Sequence, residues 1–458
     1  MADRLTIYQQ IYERVRNSIA EGRLRPGDRL PSARSMAAEL GVARGTVDTA
    51  YAMLSGEGFV VSRGREGTVV SPDLLALDLA RRSGAQGSAE ALQSGSPFAV
   101  GPLTPGLPAF DLFPRKLWSQ LVARQARRLG PDDLAYPDPA GSLALRRALA
   151  AYLAVARGID CTAEQILVTG GYQAALGLLC RVLLERGSPV WVEDPGYLLT
   201  RWALKWVGAN PTPVAVDAEG LDVEAGLRTA PDAAMCVVAP AHQFPTGASM
   251  SLRRRLALLE WARASGGWIV EDDYDGEFRF QGRPQPALKS LDGAERVFYV
   301  GTFSKTMFPG LRLGYVVAPA VMVRRCRQAL HLLDGGRPAL EQAAVAEFLA
   351  EGHFARHLKR MRSAYRTRRD ALASEIGRAS AGRLEVQPTI GGLHLVAQVC
   401  NGRDADLAER AGRAGLRPLP MSSMSARPEA HNALLIGFAG VPEPQAAAMA
   451  QRLEAAFG

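Results

Sequence analysis

Gly301-Thr302-Phe303-Ser304-Lys305, followed closely by Pro309-Gly310-Leu311-Arg312-Leu313-Gly314-Tyr315, sets one lysine between a hydroxyl-rich turn and an arginine, an amine placed beside an anion-binding group. By itself a loop lysine is more often a solvated charge than a reactive one, so the weight lies in its surroundings. Short apolar runs occupy residues 166–168, 189–192, 235–239, 268–270, 297–300 and 315–318, and helix-period patterns separate most of them. That alternation predicts an α/β domain on a mostly parallel sheet, whose ligands sit at the carboxyl ends of the strands. Three such ends carry candidate chemistry. After 166–168 comes Thr169-Gly170-Gly171-Tyr172-Gln173, small residues opening a helix whose free N–H groups suit a phosphate. After 268–270 comes Glu271-Asp272-Asp273-Tyr274-Asp275, a carboxylate cluster that calls for a metal or a cationic partner. After 297–300 comes the lysine.

The first 71 residues follow different rules. Ile7, Ile11, Val15 and Ile19 fall four apart on a first helix. Arg25-Pro26-Gly27-Asp28 ends it, and Ser32 is the expected N-cap of a second helix with Met36, Ala37 and Leu40 on its buried face. Gly41 allows the positive φ of a tight turn. A third helix presents Val47, Ala50, Tyr51 and Leu54 at i, i+3, i+4 and i+7, with Arg44, Thr46 and Asp48 on its other side. Two β runs, 59–62 and 68–71, flank the basic tip Arg63-Gly64-Arg65-Glu66-Gly67. Helix, helix, turn, helix and basic hairpin make a winged helix-turn-helix, whose third helix enters the major groove. Arg44 is placed to pair with guanine and Thr46 to meet a phosphate or a thymine methyl; Arg34 and Arg65 are placed for the backbone or the minor groove. A three-helix head that docks on protein, its basic residues merely solvated, is the plainer alternative.

Composition narrows the function classes. The chain has 458 residues, 47% hydrophobic and 22% charged, enough for two or more soluble domains. No secretory leader or uninterrupted apolar span of about 18 residues is evident, so a cytoplasmic location with no membrane partner is expected. Five scattered cysteines without CxxC spacing read as reduced core residues, not as a metal or disulfide framework. The net charge is +8 and the pI about 9.4. Residues 1–70 hold ten arginines, no lysine and eight acids, a balance of only +2, so bulk charge makes no case for DNA and the motif must. Residues 72–106, rich in Ser, Gly, Ala and Pro with a helix-like patch at 74–82, read as a linker; an extension packed on the second domain is the alternative. Lys359, Arg362, Arg366 and Arg369 share one face of a later helix, read either as a solvated face or as a second path for DNA.

The segment LPSARSMAAELGVARGTVDTAYAMLSGEGFV, residues 30–60, resembles the GntR family over about 65 residues, although Arg65-Glu66 stand where a glycine-containing pair is common. Residues 110–458 resemble the fold type I pyridoxal-phosphate enzymes of the aspartate aminotransferase group. Together they resemble the MocR subfamily of bacterial regulators: a winged helix-turn-helix at 1–71, a linker at 72–106, and an aminotransferase-like domain at 107–458, its large part about 107–330 and its small part about 331–458. The resemblance implies pyridoxal 5′-phosphate in Schiff-base linkage to Lys305, with Asp272 on the pyridine nitrogen, keeping the ring an electron sink. It implies Tyr274 on the ring oxygen and Tyr197 stacked on the ring face. Gly171, Tyr172, Gln173, Thr302 and Arg312 would hold the phosphate, and Tyr136 would reach the phosphate of a partner subunit. It further implies a head-to-tail homodimer that binds operator DNA and senses a small amine, an amino acid or the cofactor itself.

Two departures bear on activity. The asparagine that contacts the ring oxygen in aminotransferases is missing from Ala241-His242-Gln243-Phe244-Pro245-Thr246-Gly247, where His242 or Gln243 could substitute and Phe244 cannot. The arginine expected before the last strand for a substrate carboxylate is absent from His431-Asn432-Ala433-Leu434-Leu435-Ile436-Gly437, with Arg427 the nearest. Sustained transaminase turnover is therefore expected to be weak. A working aminotransferase with an appended head is the main alternative, and a DNA-bound scaffold that never loads cofactor a second.

Overall fold

The computed structural model describes residues 6–64, 67–72, 100–280, 286–387 and 389–457. The chain divides into two compact units, Met1–Ala99 and Val100–Gly458. Among the described residues no helix is long and apolar enough to cross a membrane.

The first unit contains α1 (Ile7–Ala20), α2 (Ala33–Leu40), α3 (Arg44–Gly56) and a hairpin of β1 (Val60–Ser62) and β2 (Thr68–Val70). The Ser32 side chain accepts from Ser35 N at 3.1 Å and starts α2. Gly41 closes it at φ +65°, a conformation that strains a residue with a β-carbon. Val47, Ala50, Tyr51 and Leu54 of α3 are buried against Ile11 and Val15 of α1 and Ala37 of α2, and the Tyr51 hydroxyl donates to Pro31 O at 2.8 Å, fixing α3 on the entry to α2. The α1 stripe is shorter than its period predicts: Ile7, at the helix start, is 55% exposed. The hairpin is backed by Leu30 N donating to Thr68 O at 2.9 Å.

In the second unit α4 (Arg115–Arg128) and α5 (Leu143–Arg157) lead into β3 (Ile166–Thr169), α6 (Tyr172–Leu183), β4 (Pro189–Asp194), α7 (Leu198–Trp206), β5 (Asn210–Asp217), β6 (Gly220–Leu221) and α8 (Val223–Thr229). Then come β7 (Met235–Val238), α9 (Leu252–Ser265), β8 (Trp268–Asp273), β9 (Val297–Thr302), β10 (Gly314–Val317), α10 (Val323–Leu333) and α11 (Ala339–Ala350). The eight strands are ordered β3-β10-β9-β8-β7-β4-β5-β6. The five central strands from β9 to β5 are parallel, but β10 runs antiparallel to both β9 and β3. Strand period two distributes β9 between two cores: Phe298 and Val300 face α6 and α10, and Tyr299 faces α5 and α11. β5 has no counterpart among the apolar runs of the sequence, because Pro211 and Pro213 disguise it. They are tolerated because they alternate, turning their missing N–H groups to one side of a near-edge strand.

The chain ends with α12 (His353–Ala379), β11 (Leu384–Val386), β12 (His394–Val399), α13 (Asp404–Arg413), β13 (Leu419–Pro420), β14 (Ala433–Gly437) and α14 (Ala446–Phe457), the strands forming an antiparallel sheet β11-β12-β14-β13. Two sequence expectations change here. Residues 100–106, assigned to the linker by composition, belong to this unit: Leu103 is buried, Gly437 N donates to Leu103 O at 2.9 Å and Arg417 N to Pro102 O at 2.8 Å. Residues 73–99, which hold the rest of the linker, lie outside the described residues. The basic face of α12 is largely consumed by the fold. Arg362 donates to Glu277 O, Arg366 to Phe280 O and Arg369 to Thr389 O, at 2.6, 3.1 and 2.9 Å. These guanidinium groups satisfy carbonyls outside the regular strands; Arg369 is buried, while Lys359, Arg362 and Arg366 keep exposed surface.

Candidate functional site

The ends of β3, β7, β8 and β9 converge around Lys305. The lysine is half-buried, and its Nζ lies 3.0 Å from where a β-carbon on Gly106 would stand, so a side chain there would crowd the amine, and the φ of +74° independently favours glycine. Burial pushes the Lys305 amine below its usual range, against the pull of Asp275 and Asp272. Thr302 and Ser304 tie the turn together, Ser304 N donating to Thr302 Oγ1 at 3.2 Å and the Thr302 hydroxyl to Ser304 Oγ at 3.1 Å.

The carboxylates after β8 divide into separate tasks. Glu271 accepts from Leu288 N and Lys289 N at 2.7 and 2.8 Å. Asp273 pairs with Arg157 at 2.6 Å and accepts from the Tyr299 hydroxyl at 2.7 Å. Asp275 faces His242 at 3.1 Å. Asp272 has no such partner: burial raises its carboxyl well above the usual range, and Asp273, Glu193 and Asp275 add to the shift while Lys305 opposes it. A carboxylate in that setting favours a cation brought close to it. Among the described residues no group of three or more His, Cys, Asp or Glu side chains is disposed to hold a metal ion.

At the end of β3, α6 begins without a side-chain cap, leaving its first N–H groups unclaimed by side chains. The Gln173 amide nitrogen is buried and makes no close hydrogen bond among the described residues, although its side chain comes within reach of the Tyr197 hydroxyl. The Arg312 guanidinium lies 3.8 Å from the β-carbon position of Gly171. Arg312 itself adopts φ +52°, a left-handed conformation costing about 1–2 kcal/mol for a residue with a β-carbon, and such strain collects at functional sites. Tyr172 differs from expectation in part: its hydroxyl bonds Thr200 Oγ1 at 2.7 Å and is not turned to the helix start, so only its backbone N–H is offered there. Arg337, which the sequence reading passed over, lies 3.0 Å from the β-carbon position of Gly170 and is paired with Asp334.

On the opposite wall Tyr197 is 41% exposed and meets Phe244 edge to face at 5.9 Å. Of the two candidates in the 241–247 loop, His242 faces the cluster, with Nδ1 3.0 Å from the Tyr274 hydroxyl. Gln243 turns away, donating to Pro195 O at 2.8 Å and accepting from Thr246 N at 3.0 Å, and so holds the loop. Asp275, His394 and Gly106 were missed as site residues. Asp275 stood within a quoted acidic run, but nothing local distinguishes which acid turns toward the histidine. Where a carboxylate-binding arginine was sought, Leu435 of β14 is buried with Met421, Met424 and Val396, and Leu198 and Phe244 pack against them; Arg427 is exposed. Tyr136 is wholly exposed and joins none of these groups.

In the first unit Arg34 is the second residue of α2 and Arg44 the first of α3, both exposed, and Thr46 is half-buried. Arg44 makes a surface ion pair with Asp48 at 3.4 Å. Arg65 lies outside the described residues.

Comparison with known proteins agrees with this division. Residues 7–70 match the family described as bacterial regulatory proteins, gntR family, and residues 113–453 match aminotransferase class I and II. The "Probable rhizopine catabolism regulatory protein MocR" of Rhizobium meliloti is 36% identical over 95% of this chain and 90% of its own length. The "HTH-type pyridoxine biosynthesis transcriptional regulator PdxR" of Corynebacterium glutamicum is 33% identical over 94% of this chain and 92% of its own. Among solved structures, the kynurenine aminotransferase of Pyrococcus horikoshii superposes with a TM-score of 0.71 at 27% identity, covering 81% of this chain and 92% of that one. The chain therefore belongs to the MocR subfamily of GntR-family transcriptional regulators, with a fold type I aminotransferase-like body whose cofactor is pyridoxal 5′-phosphate.

Proposed function

We propose that this regulator senses a small amine or amino acid through the cofactor held at Lys305, and passes the outcome to the helix-turn-helix. When bound, pyridoxal phosphate supplies an electrophilic carbon for amines and an electron-withdrawing ring. The residues fit it. Lys305, whose amine burial pushes below its usual range, is the amine that anchors it. Asp272, crowded by other acids, gains from a protonated ring nitrogen. The buried Gln173 amide, the uncapped start of α6, Gly171, Thr302 and Arg312 would supply donors for the phosphate. Tyr274 donates to the ring oxygen, and Tyr197 covers the ring face.

The observation that carries sensing over turnover is the apolar cluster at Leu435. Efficient transamination needs a fixed substrate carboxylate and repeated proton transfer by the lysine. Met421, Met424 and Leu435 offer that carboxylate no partner, so an amine effector competes with Lys305 and stays. The complete set of Lys305, Asp272 and Tyr274 favours the second reading, an active aminotransferase. An assay with a panel of amino donors and 2-oxo acids separates them: the sensor reading predicts no sustained turnover, and steady rates on the order of 1–1000 per second would establish the enzyme.

The protein acts as a homodimer in this reading, head to tail. The fully exposed Tyr136 supports that, since an aromatic ring left to solvent by its own subunit is free to enter a partner's phosphate site. Operator DNA is its second partner, met by Arg34, Arg44, Thr46 and Arg65, which places its work in the cytoplasm. Effector binding shifts the population of body conformations, and residues 72–99 re-space the two heads on DNA.

A further inference from the structure

His242 stands at an unusual junction. Its Nδ1 lies 3.1 and 3.2 Å from the two Asp275 oxygens and 3.0 Å from the Tyr274 hydroxyl oxygen. A carboxylate only accepts, so the Asp275 contact requires the proton on Nδ1. That N–H is then shared between Asp275 and the Tyr274 oxygen, which accepts. The proton of Tyr274 then points away from Nδ1, and until the cofactor binds Asp275 is within its reach. Burial, with the charges of Asp275 and Asp272, holds the Tyr274 hydroxyl well above its usual range, so it remains a donor.

The surroundings are shaped to this imidazole. Gly392, at φ +83°, lies against the ring so closely that a β-carbon there would stand 2.1 Å from Cε1, and glycine is required on both counts. His394 of β12 is 5.6 Å away, ring to ring. Its Nε2 donates to Pro245 O at 3.1 Å, and burial beside His242 and Lys305 pushes its pKa down to about 3, so it stays neutral. His242 also lines a cavity of about 30 Å3 shared with Asp275, Arg279, Arg157, Asp273 and Glu271. His242 Nε2 and Arg279 Nε are buried without partners among the described residues, and the cavity is large enough for water.

We propose that Asp275 and His242 form a positioning pair for the cofactor: Asp275 orients the His242 N–H, and that N–H occupies the Tyr274 oxygen so that the Tyr274 O–H is aimed at the cofactor's ring oxygen. Without His242 the hydroxyl would turn to Asp275, a strong nearby acceptor, and the ring oxygen would lose its donor. The pair rests on the assignment of Lys305, Asp272 and Tyr274 to the cofactor, and it explains what replaces the missing asparagine: a residue acting through the tyrosine.

The test is a pH titration of the visible absorbance of the full-length, cofactor-loaded protein. A hydrogen bond donated to the ring oxygen stabilises its anionic form and lowers the pH at which the band converts. His242→Phe keeps the ring shape and removes the N–H, and Asp275→Ala removes its anchor. His242→Phe is expected to raise the midpoint by about 0.5 unit or more, a roughly threefold change in the protonation equilibrium. Asp275→Ala also removes a negative charge that favours the protonated Lys305 nitrogen, so it serves as a background: there His242→Phe should move the midpoint less, because the anchor is already gone. His242→Asn, whose amide nitrogen falls near Nδ1, is expected to lie between His242→Phe and the wild type. A merely structural role lowers the melting temperature without moving the midpoint. An unchanged midpoint in His242→Phe, an equal shift in the Asp275→Ala background, or an asparagine variant displaced as far as the phenylalanine one overturns the pair. If His242→Phe does not fold, His242→Leu, which also lacks the N–H, takes its place. A wild-type protein with no visible band at all would instead contradict the cofactor assignment itself.

Discussion

The two units build their functional surfaces in opposite ways. In the helix-turn-helix unit the DNA-facing candidates Arg34, Arg44 and Thr46 fall within 13 consecutive residues and lie on the outside of a small core, with no buried charge machinery behind them. In the aminotransferase-like unit the site draws on Gly106, Gly171, His242, Asp272, Lys305 and His394, spread over most of the unit's length and assembled at strand ends. DNA recognition needs exposed donors on a rigid helix, which local structure can supply. Aldehyde chemistry needs a neutral amine, a crowded carboxylate and a dry wall in one cleft, which only long-range packing can supply.

That contrast predicts unequal responses to damage. Leu54, fully buried in the small core of the first unit, is the sharpest probe. Leu54→Ala should cost about 2–5 kcal/mol, a large part of the stability of a unit of this size. Operator binding should be lost on mild heating while the cofactor's visible band persists to its wild-type melting temperature. Loss of both together would show one cooperative unit in place of two.

A smaller effect separates recognition from stability. Arg44→Ala removes an exposed ion pair worth little, so the melting temperature should not move. Affinity for the true operator should fall by about 1–3 kcal/mol, with much less loss on random DNA. Equal loss on both sequences would make Arg44 a phosphate contact.

The same contrast explains what the sequence disclosed. The Ser32 cap, the Gly41 turn and the stripe of Val47, Ala50, Tyr51 and Leu54 are local rules, and each appears in the fold as read. The lysine motif and the positions of six of the eight strands of the large sheet were legible for a similar reason, since strand ends are marked by nearby residues. What was hidden depends on distant partners. Residues 100–106 have the composition of a linker, but their place is set by hydrogen bonds to Gly437 and Arg417. The α12 arginines look solvated until the carbonyls of Glu277, Phe280 and Thr389 arrive beneath them. β5 is masked by prolines that are harmless only because of the side they face. His242 and Gln243 are equivalent in the sequence, and only the 3.0 Å approach of Tyr274 separates them.

The central claim is that the chemistry at Lys305 speaks to DNA. Its most direct test follows the visible spectrum and operator affinity in one titration with primary amines and amino acids, on the wild type and on Lys305→Ala. In the wild type both signals should change over the same effector concentrations. In Lys305→Ala the lysine-linked band should be absent and operator affinity should no longer respond. An operator response that survives in Lys305→Ala, or a spectral change in the wild type that leaves DNA binding untouched, would contradict the account.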